Sequence, residues 1–136
     1  MKILWEIRFK SDAFLPTLPE DSQVNPGVYG FELAFWLSQR LADAGFSTCY
    51  PQEEDWGWFV DSSLNNAEVM VGCRSTCGAG EGFSGQAIGW SIFVKPYRTF
   101  AQWFRRESRE TEVQRCAAAI MASLADRGIR VGIGSA

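Results

Sequence analysis

Gln86-Ala87-Ile88-Gly89-Trp90-Ser91-Ile92-Phe93-Val94 is the stretch on which the fold turns. Ile88, Trp90, Ile92 and Val94 recur at every second position. A period of two places them on one side of an extended chain, so the segment is expected to be a strand with a buried face. Pro96 lacks the amide that a sheet ladder requires and should end it. The same alternation recurs elsewhere. Val69, Val71 and Cys73 share a side within Glu68–Cys73. At residues 2–9, Ile3, Trp5, Ile7 and Phe9 oppose Leu4, Glu6 and Arg8. Trp56-Gly57-Trp58-Phe59-Val60 reads as a further strand, with both indoles expected on the same face. Phe46–Tyr50 is a short strand before Pro51 that either stands alone or merges with 56–60, and Ile129, Val131 and Ile133 alternate in a closing strand.

Punctuation between these runs comes from turn-forming residues. Residues 10–27 carry Pro16, Pro19 and Pro26 and are expected to form a long surface loop. Gln52-Glu53-Glu54-Asp55 reads as an acidic turn, and Asp61 to Asn66 as a second turn rich in Asp, Ser and Asn. Gly78-Ala79-Gly80-Glu81-Gly82-Phe83-Ser84-Gly85 is a flexible connection.

Two segments switch to helical periodicity. Asn25 is suited to an N-cap with Pro26 at the first helical position. Leu33, Leu37, Leu41 and Ala44 then follow at helical spacing, and Gly45 supplies the stop. Thr99 and Gln102 have the spacing of a capping box. Val113, Ala117, Ile120, Met121 and Leu124 form the clearest helical stripe, ended by Gly128. The order β-α-β-β-β-(β)-α-β predicts one α+β domain over 1–136. Its mostly antiparallel sheet of five or six strands carries two main helices on one face, a ferredoxin-like variant.

Bulk properties limit function. The 136 residues are 46% hydrophobic and 14% aromatic, with net charge -3, which suits one self-sufficient core. A pI near 5.0 argues against nucleic acid as the partner, because phosphate-backbone binding demands concentrated positive charge. No window reaches the roughly 18 apolar residues of a membrane span. Glu6 interrupts any export-signal core, so a cytoplasmic protein is expected. There is no histidine, which removes Ser-His-Asp and Cys-His catalysis within the chain. Cys73 and Cys77 are four apart, yet zinc sites usually want four soft or imidazole ligands. No metal and no cofactor is expected, and Cys49, Cys73 and Cys116 are taken as small core residues.

Four groups of residues offer candidate sites. In Glu53-Glu54-Asp55-Trp56-Gly57-Trp58, carboxylates adjoin indoles, which either build a binding pocket or form an acidic turn leading into a core strand. The glycine loop is either a phosphate cradle or a hairpin, and it lacks the strand-before, helix-after context of a dinucleotide site. Arg98, Arg105, Arg106, Arg109 and Arg115 surround Trp103 and Phe104, but Glu107, Glu110 and Glu112 interleave at salt-bridging spacings. Finally, Tyr29, Phe31, Phe35 and Trp36 spread aromatic surface around most of a helix. Such a helix is buried on more than one side, either by Phe14, Leu15 and Leu18 of the 10–27 loop or by a partner. Glu32 among them is either a functional carboxylate or a residue facing water. Arg74 and Glu6 are able to meet as an ion pair or to line a cleft.

Tyr29-Gly30-Phe31-Glu32-Leu33-Ala34-Phe35-Trp36-Leu37 and Glu54-Asp55-Trp56-Gly57-Trp58 together resemble a group of small uncharacterised bacterial proteins carried on mobile elements such as integron gene cassettes. The resemblance implies a bacterial cytosolic protein of accessory use and transfers no activity. Aromatic excess without a complete catalytic set points to a non-enzymatic binding module, homodimeric, that holds a small molecule or protein segment. Glu32, Trp36, Glu54, Asp55, Trp56 and Trp58 are the expected ligand-binding residues, and Tyr29, Phe31 and Phe35 the expected interface. Two alternatives stand beside it. One is a histidine-free enzyme pairing Glu54 with Glu32 or Asp55 for acid–base chemistry. The other is an immunity- or antitoxin-like protein that neutralises a partner through its acidic face.

Overall fold

Ile88, Trp90, Ile92 and Val94 are all buried, with Val71 and Cys73 of the neighbouring strand equally sealed. The computed structural model describes residues 5–16, 28–65, 67–76, 87–96 and 110–134. Its elements are β1 (Trp5–Ser11), α1 (Phe31–Asp43), β2 (Ser47–Thr48), β3 (Gln52–Glu54), β4 (Gly57–Leu64), β5 (Ala67–Ser75), β6 (Ile88–Pro96), α2 (Glu110–Asp126) and β7 (Gly132–Gly134). The strands form one sheet in the order β2-β4-β5-β6-β1-β7, with β3 also on β4. Every pairing is antiparallel. β2 and β3 lie end to end along β4, so the sheet is six strands wide. The α+β architecture is thus the one the periodicities predict.

Register explains the core. Trp58, Cys73 and Ile92 stand in one row across β4, β5 and β6, as do Val60, Val71 and Val94. Paired residues in antiparallel strands point to the same side, so these rows form one apolar face, to which β1 adds Ile7 and Phe9. Leu33, Ala34, Leu37 and Leu41 of α1 and Val113, Cys116, Ala117, Ile120 and Leu124 of α2 close over it. The next rows, Phe59, Gly72 and Phe93, and Arg74, Ser91 and Arg8, belong to the opposite face.

Both helices stop as their glycines predict. At Gly45 (φ 99°), the Phe46 amide donates to the Leu41 carbonyl and the Gly45 amide to Ala42. At Gly128 (φ 74°), Ile129 donates to Leu124 and Gly128 to Ala125. These are Schellman closures, in which the glycine takes the left-handed conformation. The N-terminus of α1 differs from expectation. Residues 28–30 are not helical and α1 begins at Phe31 after Gly30. Asn25, Pro26 and Leu18 lie outside the described residues, as do Cys77, the 78–85 glycine loop, the Thr99–Gln102 box and Arg98, Arg105, Arg106 and Arg109.

Two turn assignments need correction. Gln52–Glu54 is strand β3, and Asp61-Ser62-Ser63 continues β4 up to Leu64 before the turn at Asn65 (φ 53°). β4 has partners on both edges there, and cross-strand hydrogen bonding outweighs the local turn preference of Asp and Ser. The third correction is Cys49, which is exposed and not a core residue. Cys73 and Cys116 are core thiols, and burial pushes the Cys116 thiol up to about 12 and Cys73 further still.

Candidate functional site

The two indoles of the Trp56-Gly57-Trp58 stretch part company. Trp58 points under α1 and is 7% exposed, with the Phe31 ring edge-on to it at 5.2 Å. Trp56 packs on the other face of the sheet, 4.9 Å from Phe93 and 6.4 Å from Phe59. The expected shared face is therefore wrong. Gly57 (φ 156°) separates the indoles, and a Cβ there would stand 2.4 Å from the Cys73 carbonyl oxygen. Gly30 approaches the same carbonyl from the helix side, where a Cβ would be 2.7 Å away. Two glycines flanking one carbonyl oxygen fix where α1 begins relative to β4 and β5. That placement delivers Phe31 onto Trp58.

From Trp58 the rings continue outward. Phe31 stacks on Phe35 at 6.0 Å with planes 5° apart, and Tyr50 lies 6.0 Å from Phe31 and 5.8 Å from Phe35. Phe31 is half-buried, Phe35 is 38% exposed and Tyr50 66% exposed. The three rings form a triangular surface patch rooted in the core. Tyr29, expected at the interface, is 1% exposed, and its amide donates to the Ser75 hydroxyl at 3.1 Å. It is a core residue and cannot contribute to a contact surface. Tyr50 takes its place in the patch; its position before Pro51 in a presumed strand concealed it from the sequence pattern.

Trp36 is on another side of α1. Phe14 packs against it at 4.9 Å, and the Arg127 guanidinium lies 5.4 Å from the Trp36 ring and 5.0 Å from Phe14. Phe14 is 3% exposed and Leu15 packs on the core. Phe14 and Leu15 thus cover this side of the helix, one of the two ways of meeting its burial demand, and remove Trp36 from the patch.

The carboxylates are similarly sorted by register. Glu53 pairs with Trp58 and so shares the sheet face that carries α1, whereas Glu54 pairs with Gly57 and turns to the other face. Glu53, Glu54 and Asp55 are all exposed, and Glu32 is half-buried on α1 between Phe31 and Phe35 in sequence. Glu53 is therefore the acid that the register places on the same side of the sheet as the aromatic triangle, whereas Glu32 stands one helical turn before Trp36 and shares its side of α1. Glu54 and Asp55 are hairpin residues in water. Glu54 faces away from the side of the sheet that carries α1 and Glu32, so the register does not bring that pair of carboxylates together.

Arg74 and Glu6 do meet, and they do line a cleft. Glu6 receives Arg8 at 2.7 Å, Arg74 at 3.5 Å and the Ser91 hydroxyl at 2.9 Å. Burial opposes ionisation of Glu6, but the Ser91 hydrogen bond and the two guanidiniums outweigh it and hold the carboxyl below its usual range. Among the described residues there is no group of three or more side chains able to hold a metal ion, and no helix long and apolar enough to cross a membrane. No family model, curated protein or solved structure matches this chain.

Proposed function

We propose that the chain is a non-enzymatic binding domain whose working surface is the Phe31–Phe35–Tyr50 triangle with its acidic border, and that its partner presents lysine or arginine side chains. One observation carries this. Among the described residues the two exposed large hydrophobic side chains, Phe35 and Tyr50, lie against each other on one patch. Scattered exposed rings would need no explanation, whereas contiguous ones mark a contact surface. Aromatic faces attract cations, and Glu53, on the sheet face that carries the triangle, adds negative charge. A flexible basic segment of a protein partner satisfies both features, which is also what a neutralising role against a basic protein would use. A second copy of the chain is the other occupant of such a surface, although a two-fold contact would bring the two acidic borders together.

Titration of the 15N-labelled protein with a short amidated tetra-arginine peptide tests the reading. The expected result is saturable movement of the Phe31, Phe35, Tyr50 and Glu53 amides, lost in Phe35→Ser/Tyr50→Ser. Movement that persists in that variant, or a patch that responds only to protein concentration, would point away from a basic partner. Trp58→Ala is unsuitable as the binding control, because it would open the core beneath the patch.

A further inference from the structure

The cleft on the helix-free side of the sheet is built differently from the aromatic patch. Its walls are Glu6, Arg8, Arg74, Thr76 and Ser91, with Phe9 and Trp90 at one side, and its volume is about 400 Å³. Such a volume lies within the range of small-molecule sites. Arg8 on β1 and Arg74 on β5 are both register partners of Ser91 on β6, so the two arginines stand on the same side of the sheet, one strand to either side of it. Ordinarily two long cationic side chains in this position would repel and sweep through solvent. Here Glu6, 20% exposed, draws both in, using one carboxylate oxygen for each. Ser91, 1% exposed, fixes Glu6 from below.

The contacts to Glu6 use only Nη2 of Arg8 and Nη2 of Arg74. A guanidinium has five N–H donors arranged as a fork that matches an oxyanion. Among the described residues, most donors of each arginine therefore remain for another acceptor, and the side chains are 70% and 44% exposed. Two guanidiniums against one carboxylate leave one net positive charge. From these features we infer that the cleft is a binding site for a small organic carboxylate, gripped between the Arg8 and Arg74 forks. Glu6 acts as a positioning residue. It holds the forks in place before the ligand arrives, which lowers the ordering cost of binding. The single surplus charge matches a monoanionic carboxylate and disfavours a phosphate dianion. This site is independent of the aromatic patch, on the opposite face of the sheet.

The test is an NMR titration that follows the Arg Nε–Hε signals and the Ser91 amide with sodium acetate, sodium benzoate and sodium phosphate, each against sodium chloride at matched ionic strength. Saturable shifts of Arg8, Arg74 and Ser91 with a carboxylate, absent with chloride, are expected. Arg8→Ala should weaken binding about tenfold or more, the scale of charge-assisted hydrogen bonds. Because Arg8 is largely exposed, that variant should fold normally. Arg8→Lys keeps the charge but not the fork, and should fail to restore the affinity. Lys95→Ala, a cation over Phe93 outside the cleft, should leave it unchanged. Shifts no larger than those of chloride, full rescue by Arg8→Lys, or tighter binding of phosphate than of either carboxylate would each overturn the assignment.

Discussion

Gly57→Ala is the substitution that probes the framework most sharply. At this position a Cβ would lie 2.4 Å from the Cys73 carbonyl oxygen and 3.2 Å from the Arg74 Cα, both backbone atoms that cannot move aside alone. Its φ of 156° is also one that residues with side chains rarely adopt. Conformational strain of this kind costs about 1–3 kcal/mol. Overpacking against fixed atoms adds about 1–3 kcal/mol, so the total is about 2–6 kcal/mol. Gly45→Ala supplies the contrast. Gly45 has φ 99° but nothing within 4 Å of its built Cβ, so it bears the conformational cost alone, about 1–2 kcal/mol. Urea denaturation followed by far-UV circular dichroism gives both values. Gly57→Ala should lose at least about 1 kcal/mol more than Gly45→Ala, by the overpacking term. Equal losses would show that the Cys73 carbonyl is not pinned between Gly30 and Gly57, and the placement of Phe31 on Trp58 would lose its explanation.

Phe14→Ala should cost about 3 kcal/mol, as for a buried aromatic, and Arg127→Ala about 0.5–1 kcal/mol through its cation–π contacts; both are measured by the same denaturation. Glu6 has a folded-state pKa below its unfolded value, so the stability it contributes is complete above the ordinary carboxylate range and fades as pH falls through the lowered pKa. The stability gap between the parent and Glu6→Gln should therefore narrow on acidification, and a gap independent of pH would contradict the Arg8–Glu6–Arg74 arrangement. In the native protein Cys49 should react with a maleimide within minutes, while Cys73 and Cys116 react only on unfolding, as peptide mapping would show.

Strand and helix identity was legible because burial imposes a period. Ile88–Val94 and Val113–Leu124 could satisfy one buried face each in only one way. The helix stops were legible too, since Gly45 and Gly128 occupy left-handed positions where other residues are strained. What failed was local chemistry overruled by pairing. Asp61-Ser62-Ser63 has the composition of a turn, but β2 and β5 hold it as strand. Gly57 hid the reversal that sends Trp56 and Trp58 to opposite faces, because a simple alternation count assumes an unbroken extended chain. The aromatic helix start is legible as surplus surface. Its partition into core Tyr29, covered Trp36 and exposed Phe35 depends on the path of Phe14 and on Tyr50, which no periodicity reports. Arg74 and Glu6 are legible as a pair from their strand positions, but Arg8 and Ser91, which complete the cleft, come together only through the β1–β6–β5 register.

The aromatic triangle is best interrogated through Phe35→Ser/Tyr50→Ser, two exposed side chains whose loss should leave folding intact. Binding of the tetra-arginine peptide by isothermal titration calorimetry, run on parent and variant alike, should give a saturable isotherm for the former and none for the latter. If peptide affinity is the same in both proteins while the variant is fully folded, the rings at the end of the Trp58–Phe31 stack are not a recognition surface.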